Sequence, residues 1–158
     1  MNILVLCTGN SARSILLECL LEKLGGDQIT AYSAGSQPSG KVHPQSLALL
    51  KAYGYDVSSL GSKSWDVFAD GDAPKMDAVI TVCGSAASET CPIWPGVPLR
   101  AHWGVEDPAA VEGPDAVAAF QTAYEILQRR AAQFIAGDIT SMGRAELQAH
   151  LTACGSIL

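Results

Sequence analysis

Basic charge is scarce in this chain of 158 residues: ten Lys and Arg stand against sixteen Asp and Glu, a formal net charge of −6. Binders of nucleic acid or anionic membranes need a basic surface, so this balance argues against both. An anionic substrate would have to be attracted locally, against the overall field. Long apolar runs are also missing. None approaches the ~18 residues of a membrane helix, and no basic segment precedes the first apolar run, so neither a span nor a secretory leader is expected. Repeats, low-complexity segments and linkers are absent, and the length suits one domain over residues 1–158. The chain contains no CxxC pair and no GxxxxGK[ST] phosphate loop. His43, His102 and His150 have no spacing with the cysteines that suggests zinc, so no metal is expected.

What is abundant is apolar: 48% of residues are hydrophobic. A domain of this size buries roughly 68–70% of its unfolded surface, so disulfides are not needed for a core. The five cysteines (7, 19, 83, 91 and 154) are then best read as reduced thiols in a cytoplasmic protein, some of them available for chemistry. A single acidic domain is expected to be a monomer.

Aliphatic runs at Asn2–Leu6 and Met76–Val82 read as buried strands, with further strands over Gln28–Ser33 and Leu99–Trp103. Helical patterns cover Ser14–Leu24, Pro44–Tyr53, Pro114–Ala136 and Gly143–Ala153, and a short helical turn is expected over Ser64–Phe68. Val117, Phe120, Tyr124, Leu127 and Phe134 mark the apolar face of the longest helix. Cys83–Pro98, with three prolines and two glycines, reads as a long loop. Strands alternating with helices predict an α/β three-layer sandwich around a mostly parallel, four-stranded sheet.

The first strand ends in "CTGNSARS", residues 7–14. In an open parallel sheet, ligands bind beyond the carboxyl ends of the strands. There, backbone N–H groups of Thr8, Gly9, Asn10, Ser11, Ala12 and Arg13, with the start of the next helix, can converge on one tetrahedral anion. Gly9 permits a turn forbidden to most residues, and Asn10 tolerates a left-handed conformation. Arg13 adds a bidentate, permanent charge. Such an environment is expected to lower the pKa of Cys7 toward a thiolate, with Ser14 hydrogen-bonded to its sulfur. The plainer reading, a buried strand-end thiol and a surface arginine, ignores the strand–loop–helix setting.

"CTGNSARS", with "YSAG" at 32–35, "HP" at 43–44, "AVITVC" at 78–83 and "HWGVEDPAA" at 102–110, resembles the low-molecular-weight protein tyrosine phosphatase fold and, within it, the arsenate reductases. The resemblance implies that Asp107, before Pro108, is the general acid. Tyrosine phosphatases of the fold usually place an aromatic residue after this pair and commonly carry a second cysteine in the loop. Here Ala109 and Ala12 stand at those positions, which suits a small inorganic oxyanion. The resemblance further implies a relay. Cys7 attacks arsenate, Cys83 attacks Cys7 and releases arsenite, and Cys91 attacks Cys83. An external reductant, thioredoxin or glutathione with glutaredoxin, then restores the thiols. The C-x7-C spacing of Cys83 and Cys91 is slightly longer than in thioredoxin-coupled members. Some relatives bind potassium beside the loop; Asn10, Glu18 and Ser33 match three of its ligands, while Lys63 stands at the fourth. Lys63 is therefore expected to replace the cation and pair with Glu18. Cys19 is expected in the core, and Cys154 near a mobile terminus. A tyrosine phosphatase and a non-catalytic oxyanion- or redox-sensing module are the alternatives.

Overall fold

The computed structural model describes residues 1–90 and 92–158. Its centre is a four-stranded sheet: β1 (Asn2–Cys7), β2 (Thr30–Gly35), β3 (Ala78–Thr81) and β4 (Leu99–His102), in the order β2-β1-β3-β4. Every pairing is parallel, with Cys7 opposite Gly35 and Leu6 opposite Thr81. The chain therefore leaves β1 and β3 side by side on one rim, and both exits carry a cysteine.

β1 is continuously aliphatic because both of its faces are covered. Ile3, Val5 and Cys7 point into the larger core, and Leu4 and Leu6 into the smaller one. The larger core packs the sheet against α1 (Arg13–Gly25), α4 (Ala116–Ala136) and α5 (Arg144–Cys154), through Leu16, Leu20, Phe120, Leu127, Phe134 and Leu151. The smaller one closes the opposite face with Phe68, Met76 and Trp94; Phe68 ends a 3-10 turn over Trp65–Phe68. α2 (Pro44–Ala52) starts with Pro44 in its first turn, where a missing N–H costs nothing. His43 caps it, its Nδ1 accepting from Gln45 N–H at 3.1 Å.

Three local differences from the sequence reading have plain causes. The segment after β3 opens with a short helix, α3 (Gly84–Ser88), because the Cys83 sulfur caps it by accepting from Ala86 N–H at 3.4 Å. Val117 is 59% exposed, since the first turn of α4 overhangs the core. Cys154 is buried at the end of α5, so the expected mobile setting is replaced by core packing. Among the described residues, no helix is long and apolar enough to cross a membrane.

Candidate active site

The loop after β1 is held from outside by its carbonyls. Thr8 O accepts from Gln37 N–H (3.0 Å), Gly9 O from Ser39 N–H and Ser62 Oγ (3.0 Å each), and Ser11 O from His43 N–H (2.9 Å) and Ser46 Oγ (3.0 Å). In a trans peptide the C=O and the following N–H point opposite ways. Tying these three carbonyls outward therefore turns the N–H groups of Gly9, Asn10 and Ala12 to the concave side, above Cys7. The Gly9 N–H already bonds the Cys7 sulfur.

The left-handed residue of the turn is Asn10, with φ 46°. This bears out the reading of Asn10 as tolerant of a left-handed conformation; Gly9 lies outside that region, and a Cβ there would meet only Ser11 Oγ, at 3.7 Å. Asn10 is fully buried and acts as a hub. Its Nδ2 donates to Ser14 Oγ and Ser33 Oγ at 2.9 Å, and its Oδ1 accepts from Lys63 N–H at 2.9 Å. Ser33 in turn donates to Glu18. Burial raises the Glu18 pKa, opposed by the Ser33 hydrogen bond and the Lys63 charge.

Lys63 thus supports the loop, but through its backbone. Its ammonium donates to Gly61 O at 3.1 Å and acts on Glu18 only at a distance. The expected ion pair is absent because the lysine head is held by its own turn. Ser14 likewise differs: its hydroxyl accepts from Asn10 and forms no hydrogen bond with Cys7.

Arg13 begins α1 and turns back over the rim. Its Nη2 lies 3.3 Å from Asp107 Oδ2, and its Nη1 donates to Val105 O at 3.1 Å. Its Nε is buried without a partner. Asp107 caps the turn Pro108–Ala110, Oδ1 accepting from Ala109 N–H at 3.1 Å. Arg13 and Asp107 therefore face each other across the mouth of the loop.

Cys7 and Cys83 meet beneath it. The Cys7 and Cys83 side chains are both nearly fully buried, and each thiol shifts the titration of the other. The influence of Cys7 lowers the Cys83 pKa, with burial opposing and with further support from Thr8 and Ala86; Thr8 Oγ1 lies 3.5 Å from the Cys83 sulfur. The influence of Cys83, then burial, raises the Cys7 pKa, while Arg13 and the Gly9 backbone favour its thiolate. The two thiols therefore titrate as one unit.

Cys91 lies outside the described residues. Cys19 sits in the core, where burial pushes its pKa up to about 12. Trp94 and Trp103 are buried packing residues, Trp65 stacks edge-on against Trp94, and Trp103 donates to Leu151 O at 2.9 Å. Among the described residues, no group of three His, Cys, Asp or Glu gathers as a metal site.

Sequence reasoning missed Ser46 and Ser62, because nothing local marks a serine that bonds a carbonyl 35 or 53 residues away. Gly35 is required by close approach: a Cβ there would lie 2.4 Å from Thr8 O and 3.1 Å from Asn10 N. The oxyanion loop rests directly on that glycine.

Comparisons with known proteins agree with this layout. A family model described as low molecular weight phosphotyrosine protein phosphatase matches residues 2–150. An arsenate reductase from Halalkalibacterium halodurans is 42% identical over 110 residues, covering 70% of this chain and 76% of the relative. A solved structure described as an arsenate reductase in the phosphate binding state is 28% identical, with a TM-score of 0.66, over 85% of this chain and 96% of that one. A low molecular weight phosphotyrosine phosphatase from Vibrio cholerae, 19% identical, has the same fold at a TM-score of 0.67, covering 87% of this chain and 95% of its own.

Proposed function

The chain belongs to the low molecular weight phosphotyrosine protein phosphatase family, and from that premise we propose that it is an arsenate reductase using Cys7, Cys83 and Cys91. The observation that carries this reading is the placement of two buried thiols, Cys7 and Cys83, at the exits of adjacent parallel strands. A phosphatase needs one thiol, since water hydrolyses its phosphocysteine. A second thiol beside the first is what a two-electron reduction requires. The similarity to arsenate reductases over most of the chain supports the same choice.

Arsenate enters the loop and takes hydrogen bonds from the inward N–H groups and Arg13, whose Nε has a donor to spare. Cys7 passes its proton to Cys83 and attacks arsenic. An S–As bond forms, an As–O bond breaks, and Asp107 gives the departing hydroxide a proton, so that water leaves. Cys83, whose thiolate is favoured by Thr8 and α3, gives its proton to an oxygen of the departing arsenite and attacks the Cys7 sulfur. The S–S bond forms, the S–As pair of electrons stays on arsenic, and arsenite departs as As(III). Two thiols have been oxidised by the two electrons arsenic gains. Cys91 then attacks Cys83 and frees Cys7, and an external dithiol protein of the thioredoxin or glutaredoxin class reduces Cys83–Cys91. A relay that starts from free thiols suits a reducing cytoplasm.

In Cys91→Ser, one equivalent of arsenate should yield one equivalent of arsenite and a trapped Cys7–Cys83 disulfide, read by peptide mass spectrometry. Arsenite release without that disulfide would sink the relay. The loop and Asp107 also suffice for slow aryl phosphate hydrolysis as a side activity.

A further inference from the structure

Arg130, in the middle of α4, is a buried cation (4% exposed), and both hydrogen bonds it makes go to neutral carbonyls. Its Nε donates to Ile157 O at 2.7 Å and its Nη1 to Gly104 O at 3.1 Å. A buried guanidinium costs several kcal/mol in desolvation, so packing alone favours an apolar residue here. Gly104 O belongs to the three-residue approach to Asp107. That approach is pinned at Val105 N–H, which donates to Val82 O (3.3 Å), and at Val105 O, which accepts from Arg13 (3.1 Å). Between β4 and Asp107 the backbone is therefore fastened to β3's exit, to α1 and to α4. The turn after α5 shares the α4 fastening. Gly155 lies so close to the β4 exit that a Cβ would sit 2.6 Å from His102 O.

We propose that Arg130 is a positioning residue, which holds Gly104–Asp107 so that the Asp107 carboxyl faces Arg13 and the bound oxyanion. The inference rests on the acid role of Asp107 given above. Cutting the Gly104 fastening loosens the neighbouring Val105 N–H bond to Val82 O, lets Gly104–Asp107 shift and moves the carboxyl off the leaving oxygen.

The test is a cycle of Arg130→Met, Arg130→Lys and Asp107→Asn in the full chain. Misplacement of a catalytic group costs about ten- to a hundredfold in kcat, so Arg130→Met should lose that much with KM unchanged. Arg130→Lys, which keeps the charge and one carbonyl contact, should recover part of it. Starting from Asp107→Asn, Arg130→Met should cost less than about twofold, because the group it positions is already gone. Amide exchange of Val105, read against Ile80 in β3, should quicken in Arg130→Met. That readout needs no turnover, so it decides the inference even if arsenate is not the substrate. If the wild type hydrolyses aryl phosphate but leaves arsenate untouched, the functional reading fails and the cycle is run on the phosphate. An equal loss in both backgrounds, or Val105 exchange unchanged relative to Ile80, overturns the positioning role.

Discussion

Cys7 and Cys83 leave two adjacent parallel strands on the same rim, and each shifts the titration of the other. The pair titrates as a unit, one sulfur holding the charge and the other the proton. Removing either partner must therefore move the other. In Cys83→Ser, Cys7 loses the largest influence raising its pKa while Arg13 remains, so its titration, followed by thiolate absorbance at 240 nm, shifts down. In Cys7→Ser, Cys83 loses the largest influence lowering its pKa and shifts up. Independent titrations that ignore the partner substitution would contradict the shared proton.

Thr8→Val keeps the shape of the loop and deletes the hydroxyl 3.5 Å from Cys83. A hydrogen bond to a charged group contributes about 1.5–3 kcal/mol. The Cys83 pKa should rise and arsenite release slow by about tenfold or more, while formation of the Cys7 adduct in single-turnover quench experiments stays within about twofold.

Asp107→Asn should lower kcat by about a hundredfold or more while leaving oxyanion affinity unchanged or improved, since Arg13 loses a competing carboxylate at 3.3 Å. Phosphate inhibition measured alongside turnover separates the two effects. Equal losses in both would make Asp107 a mere anchor for Arg13.

Asn10→Ala removes three hydrogen bonds from a fully buried position and leaves alanine at φ 46°. The cost should be about 3 kcal/mol, read by urea unfolding. Gly35→Ala should abolish activity at a smaller stability cost, because its Cβ pushes Thr8 and Asn10 rather than the core.

The larger features were legible because local chemistry dictates them. Apolar β1 and the β-branched β3 announce a parallel sheet, Pro44 and Gly54 bound α2, and a cysteine followed by Gly, Asn and Arg at a strand exit announces an anion loop. What was hidden depends on distant backbone. The coupling of Cys7 to Cys83 was not legible, because Arg13 is visible in the sequence whereas the nearness of the two thiols arises only from sheet order. Lys63 was read by its charge, but its N–H carries the contact with Asn10. Ser46, Ser62 and Arg130 bond carbonyls, which leave no mark on sequence.

Glu18 supplies a pH signature. Burial raises its folded pKa above 4.5, so the folded state binds a proton more readily than the unfolded chain. Its contribution is fully present below 4.5 and is lost as pH rises through the folded value. Glu18→Gln, which still accepts from Ser33, should flatten that part of the stability–pH curve. Lys63→Met should extend it upward, because the attraction that lowers the Glu18 pKa is gone. With Lys63 beside this chain of hydrogen bonds, turnover should be equal in sodium and potassium; strong potassium activation would contradict the expectation.

The most direct test follows arsenate-dependent oxidation of a reduced thiol donor, with thioredoxin and glutaredoxin supplied separately, in the wild type and in Cys7→Ser, Cys83→Ser and Cys91→Ser. The account predicts turnover in the wild type and none in Cys7→Ser. Cys83→Ser should hold a stalled Cys7–arsenate adduct yet keep any aryl phosphatase activity, and Cys91→Ser should stop after one equivalent. Normal arsenate reduction by both Cys83→Ser and Cys91→Ser would contradict it.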